Sequence, residues 1–155
     1  MRKRLISSEN VAAPDGEWLD LERLAEVEIT SEDAAYPIES ALLLDGGPGW
    51  RAASPGEQTI RLVFAEPQRL RRIWLQFIEG DVQRTQEFSL RWSPDKGESL
   101  LDIVRQQWNF SPSGATTETE DQKVDIDGVT LLELKIIPNI SGGNDRASLA
   151  QLRLA

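Results

Sequence analysis

The sequence predicts an all-β fold, a two-sheet antiparallel β-sandwich or jelly roll, on three observations. From Leu24 onward no apolar period of 3.6 residues persists over ten residues, so no long amphipathic helix is expected. Short runs rich in β-branched, aromatic and leucine residues alternate instead with turn-forming residues. No internal repeat of fixed length is present, which argues against propellers and solenoids and leaves a sandwich as the way to bury one-sided strands.

The elements follow in order. Residues 1–23 form a polar lead-in containing Pro14-Asp15-Gly16, with a short helix expected around Trp18 to Leu24, where Trp18, Leu21 and Leu24 fall on one face. Residues 24–155 form the single sandwich domain. Its strands are expected at 24–30, 41–45, 57–64, 69–79, 86–93, 99–109, 116–126, 129–137 and 147–154. Alternation is clearest in Ile60-Leu62-Phe64, Ile73-Leu75-Phe77, Phe88-Leu90-Trp92 and Leu132-Leu134-Ile136, each a row that one-sided burial requires.

Connection lengths sort the ends of the sandwich. Ala65-Glu66-Pro67-Gln68, Pro94-Asp95-Lys96-Gly97 and Asp127-Gly128 read as tight turns that share one end. The stretch from Ser31 to Pro55 and the loops Gly80 to Thr85, Phe110 to Ala115 and Pro138 to Arg146 gather at the other. Long loops on a rigid scaffold are where binding residues tend to lie.

Composition removes whole classes of chemistry. The 155 residues contain neither histidine nor cysteine, which excludes the Ser-His-Asp triad, histidine- or thiolate-ligated zinc, cysteine nucleophiles and disulfides. With 17 basic against 26 acidic residues the formal charge is −9, so phosphate backbones and anionic lipid surfaces are repelled; no nucleic acid and no membrane partner is expected. The basic start Met1-Arg2-Lys3-Arg4 is followed by only two apolar residues, too few for a signal peptide, and a cytoplasmic location is expected.

Polar groups concentrate on the long-loop end: Glu32, Asp33, Tyr36, Asp45, Arg51, Asp81, Arg84, Asn139, Asn144, Asp145 and Arg146. Planar guanidinium and amide groups offer the paired donors and acceptors that sugar hydroxyls need, and an aromatic ring stacks on the apolar face of a pyranose. Arg51, Arg84, Asn144 and Arg146 are the chosen ligand-binding candidates. Trp50, Trp18, Trp74 and Trp92 are expected to be structural, Arg69, Arg71 and Arg72 to form a solvated or salt-bridged knot, and Glu118-Thr119-Glu120-Asp121 to face solvent.

Asp45-Gly46-Gly47-Pro48-Gly49-Trp50-Arg51-Ala52 resembles the discoidin pattern of an Asp-Gly pair, a few residues and a tryptophan before a strand. The strand pair Gln58 to Phe64 and Arg69 to Phe77, then Phe88-Ser89-Leu90-Arg91-Trp92-Ser93-Pro94-Asp95, then Ala147-Ser148-Leu149-Ala150-Gln151-Leu152 agree in order. The chain is thus similar to the galactose-binding-like, or discoidin, superfamily over residues 25–155. The resemblance implies a galactose-binding-domain-like sandwich and a non-catalytic binding module.

Relatives of this fold bind diverse ligands, so the ligand class is argued from the site. Many hold a structural calcium. Asp45 matches one metal ligand of that pattern, but Gly47 and Gln151 stand where further acids are common, and no cofactor is expected.

Three functions compete at this stage. A carbohydrate or similar polar ligand bound by the long loops leads. A protein-interaction or self-associating module is second, with Trp74 and Gln76 on the strand face opposite Ile73, Leu75 and Phe77 as its interface. A glycosidase using two of Asp33, Asp45 and Asp81 is third.

Overall fold

The computed structural model describes residues 17–155. The expected helix near the N-terminus is α1 (Leu21–Leu24), and the remainder of the lead-in, residues 1–16, lies outside the described residues. After it come β1 (Ala25–Ile29), α2 (Glu39–Leu42), β2 (Trp50–Arg51), β3 (Gln58–Ile78), β4 (Arg84–Ser93), β5 (Leu101–Phe110), β6 (Thr117–Ile137), β7 (Ser148–Leu149) and β8 (Gln151–Leu154). All strand pairings are antiparallel, in the order β1-β3-β6-β4-β5, with β8 added to β3 and β2 paired to β7.

Two expected turns are bends within strands. The runs 57–64 and 69–79 are one strand, β3, and the runs 116–126 and 129–137 are one strand, β6. The two pair with each other almost throughout, with register shifts between Val63 and Arg72. Pro67 lacks an amide donor and Gly128 sits at φ 73, so this stretch is where a ladder interrupts cheaply and a ribbon turns a corner. Before the corner β3 pairs with β1; after it, with β8. One ribbon thus feeds both layers.

The alternating rows behave as predicted. Ile60, Leu62, Phe64, Ile73, Leu75, Phe77, Phe88, Leu90, Leu132, Leu134 and Ile136 are buried in one core, with Phe77 and Phe88 ring centroids 5.3 Å apart. Trp50 and Trp74 are buried, whereas Trp92 is half-buried against the core. Trp18, also half-buried, lies under the Arg72 guanidinium.

Three expectations need correction. The run 41–45 is not a strand: Ile38, Ala41 and Leu42 are buried at helical spacing in α2 and its cap, and Glu32 Oε2 accepts the Ile38 N–H at 3.0 Å. The acidic run does not wholly face solvent, because Glu118 stands opposite core-facing Phe77 in the ladder and is fully buried. The face carrying Trp74 and Gln76 is not an exposed apolar patch, since these residues are 2% and 3% accessible. In the basic knot, Arg69 and Arg72 form two-pronged pairs with Asp125 and Asp121.

Candidate functional site

The long loops do share one end, and interior contacts hold them there. Arg84, at the start of β4, donates to Glu79 Oε1 at 2.8 Å and to the Pro138 carbonyl at 2.8 Å, while its guanidinium lies 4.8 Å from the Phe110 ring centroid. One side chain thereby ties together three connections. Backbone bonds add to this: Glu79 N–H to Thr116 O, and Ile140 N–H to Thr85 O.

The first long connection is pinned to the same end. The Trp50 indole donates to Ser31 O, the Ser31 hydroxyl accepts the Ala53 N–H, and the Arg51 N–H reaches Tyr36 O. Gly49 permits the approach, with φ +88 and Leu149 O only 2.8 Å from where a Cβ would stand. Just beyond it β2 pairs with β7, Trp50 opposite Leu149 and Arg51 opposite Ser148.

These contacts create a cavity of ≈ 290 Å³ among Tyr36, Trp50, Arg51, Ile78, Asp81 and the segment Ser148 to Ala150. Ile78 supplies its exposed apolar surface, and Trp50 and Leu149 lie buried beneath it. The Arg51 guanidinium lies 5.7 Å from the Tyr36 ring centroid and makes no ion pair or side-chain hydrogen bond, and the Asp81 carboxylate likewise has no partner among the described residues. A donor fork and an acceptor are therefore left with free hydrogen-bonding capacity beside the Tyr36 ring and the exposed Ile78 side chain.

The four candidates separate. Arg51 lines the cavity. Arg84 does not: its guanidinium side chain is 0% accessible and engaged inside, so it holds the loops and touches nothing in solvent. It is the first residue of β4, a boundary position where alternation in the sequence does not fix whether a side chain faces inward. Asn144 and Arg146 are exposed on the neighbouring Pro138 to Arg146 loop but outside the cavity lining; that loop is tied by Asn139 Nδ2 to Asp145 Oδ2 at 2.9 Å and by Gly56 N–H to Asp145 O. Tyr36 and Asp81, also polar groups of the long-loop end, line the cavity beside Arg51.

Asp45 stands apart, beside the Leu42–Leu44 turn. Among the described residues no group of three or more acidic side chains is placed to hold a metal ion. The carbonyls of Ala41 and Leu43, near Asp45, instead accept hydrogen bonds from the Arg153 guanidinium at 2.9 and 3.0 Å. The Arg153 guanidinium thereby ties this turn to the closing strand.

A larger cavity of ≈ 550 Å³ lies on the outer face of the sheet, lined by Glu87, Ser89, Arg91, Arg105 and Lys135 among others. Several of its charges are already paired, Arg105 with Glu87 and Arg91 with the buried Glu133, which also binds Arg61. Burial opposes ionisation of Glu133, but the two guanidiniums outweigh it and hold its pKa below the usual range. No aromatic ring lines this groove, so it offers no stacking surface for a sugar.

No protein-family model matches the sequence, and no curated protein matches it. Solved structures do. The family 32 carbohydrate-binding module of NanJ from C. perfringens, in complex with galactose, superposes with a TM-score of 0.62 at 15% identity over 88% of this chain and 96% of that one. The family 32 module CBM32-3 of a family 31 glycoside hydrolase from Clostridium perfringens gives 0.63 at 18% identity over 88% and 93%. A Ruminococcus gnavus GH29 fucosidase mutant in complex with fucose gives 0.65 at 8% identity, over 88% of this chain and only 26% of that one.

The chain therefore has the galactose-binding-like, or discoidin, fold. Within it, this molecule places its open polar cavity at the long-loop end.

Proposed function

We propose that the protein is a non-catalytic carbohydrate-binding module that takes a sugar in the cavity of Tyr36, Arg51 and Asp81. The observation that carries this reading is their unspent chemistry. Arg51 supplies a planar donor fork, Asp81 an acceptor for a hydroxyl pair, and Tyr36 a ring, with the exposed Ile78 side chain as the apolar contact. Structural neighbours solved with galactose and with GalNAc-β-1,3-galactose support the ligand class.

The glycosidase alternative loses its geometry, because it needs two facing carboxylates and Asp81 alone of the three candidates lines the cavity. Asp33 accepts the Ala35 N–H in a local turn, and Asp45 lies in a separate depression. We read the module as working without a structural calcium, with Arg153 in the bracing role.

The test is calorimetric and NMR titration with galactose, N-acetylgalactosamine, fucose and uronic acids. Binding by one sugar class, with amide shifts at Tyr36, Arg51, Asp81 and Leu149, supports the proposal. It should be lost in Arg51→Ala and in Asp81→Ala without a change in melting temperature, since both side chains are exposed. Silence across the panel, or binding indifferent to both substitutions, rejects it.

A further inference from the structure

The sandwich is open along one side. β1 is the edge of its sheet and pairs only with β3, so one row of its backbone N–H and C=O groups has no strand partner among the described residues. Ala25, Val27 and Ile29 stand opposite Phe64, Leu62 and Ile60, which places them on the core-facing side. Yet Val27 is 36% accessible. A core-facing valine open to solvent marks an edge that nothing described here closes.

The opening is a trough of ≈ 450 Å³ between β1 and α2, walled by Val27, Ile29 and Leu43 above the buried Leu21, Ile38 and Leu42. It continues into a smaller depression of ≈ 240 Å³ toward Leu44, which is also exposed. Its polar lining is acidic throughout, with Glu22, Glu32 and Glu39 along the trough and Asp20 and Asp45 at the far end, and no lysine or arginine lines either part. It shares no lining residue with the sugar cavity.

We propose that this trough receives an extended, basic and apolar polypeptide segment of a partner protein, which adds to the free edge of β1 as a further strand. An incoming strand would satisfy the open backbone row and set alternate apolar side chains onto Val27, Ile29 and Leu43. Its lysines or arginines would meet Glu22 and Glu39. The same charges disfavour edge-to-edge pairing with a second copy, which would bring Glu26 and Glu28 of its own edge against this acidic rim, and repel a nucleic acid or an anionic lipid surface from a chain of net charge −9.

The probe is a fluorescein-labelled synthetic hexapeptide, Lys-Val-Arg-Val-Lys-Val, titrated into the full chain by fluorescence polarisation, with a Glu-for-Lys/Arg peptide as control. The basic peptide should bind saturably and shift the amides of Ala25 to Ile29 in NMR spectra, while the acidic peptide should not bind. Glu22→Lys/Glu39→Lys should weaken binding about tenfold, Val27→Lys at least as much, and Asp102→Lys, exposed on β5 at the opposite edge of the strand order, should leave it unchanged. Glu22 and Glu39 are exposed, so the double variant keeps its fold and carries the test even if Val27→Lys is destabilised. Absent binding, equal binding of the acidic peptide, or shifts confined to other surfaces would overturn the proposal.

Discussion

Glu118 gives this protein a predictable loss of stability on the alkaline side. It is fully buried beside Phe77, and burial first, then the neighbouring Glu120 carboxyl, push its pKa from 4.5 up to about 8, against the weaker pull of Gln86 and Arg84. The folded chain therefore keeps this proton to about pH 8, while the unfolded chain releases it near 4.5. Between those values the unfolded state binds fewer protons, so stability falls as pH rises. At about 1.4 kcal/mol per pKa unit, the loss between pH 5 and pH 7 is roughly 2–3 kcal/mol, equivalent to a drop in Tm of about 5–10 °C for a chain of this size. The window is unusually clean, because no histidine or cysteine titrates in it. Carboxylates held below their usual range, Asp95 at about 2 and Glu87, Asp121 and Glu133 by direction, shape only the acid limb. Glu118→Gln keeps an oxygen to accept the Gln86 amide at 3.2 Å and a donor toward Glu120 while removing the titration. Thermal melts from pH 5 to pH 8 should show a falling Tm in the parent and a flat one in the variant, the two meeting near pH 5. Parallel curves, or a variant less stable at pH 8, would refute the assignment.

Arg84→Met should destabilise by about 3 kcal/mol in denaturant melts without altering the sugar cavity directly, because it leaves the Glu79 carboxylate and the Pro138 carbonyl without their buried partner. Arg153→Met should cost about 2–4 kcal/mol by orphaning the Ala41 and Leu43 carbonyls, and millimolar calcium should neither restore it nor raise the Tm of the parent. Gly49→Ala should lower both Tm and sugar affinity, since an added Cβ at φ +88 meets Leu149 O at 2.8 Å and forces β2 from β7; an unchanged Tm would contradict the close approach.

By itself the sequence determined whatever depends on local patterning. Period-two rows such as Ile60-Leu62-Phe64 can bury one face only as strands, and the clustering of turn residues against long loops followed from how antiparallel strands alternate direction. The absence of histidine and cysteine decided which chemistry was out of reach. The tertiary structure decided what depends on contacts between distant residues. Ala65 to Gln68 and Asp127-Gly128 carry ordinary turn residues, and only the pairing of β3 with β6 along their length makes them a shared corner. Arg84, Glu118 and Trp74 each had a polar or amphipathic side chain at a position whose facing could not be read until a second layer covered it. Tyr36 and Arg51 lie fifteen residues apart on one long connection and Asp81 on another, and they meet because Trp50, Gly49 and Arg84 hold those connections at the same end. A binding cavity is a property of convergence, and convergence is set by packing across the sandwich rather than by any single stretch of chain.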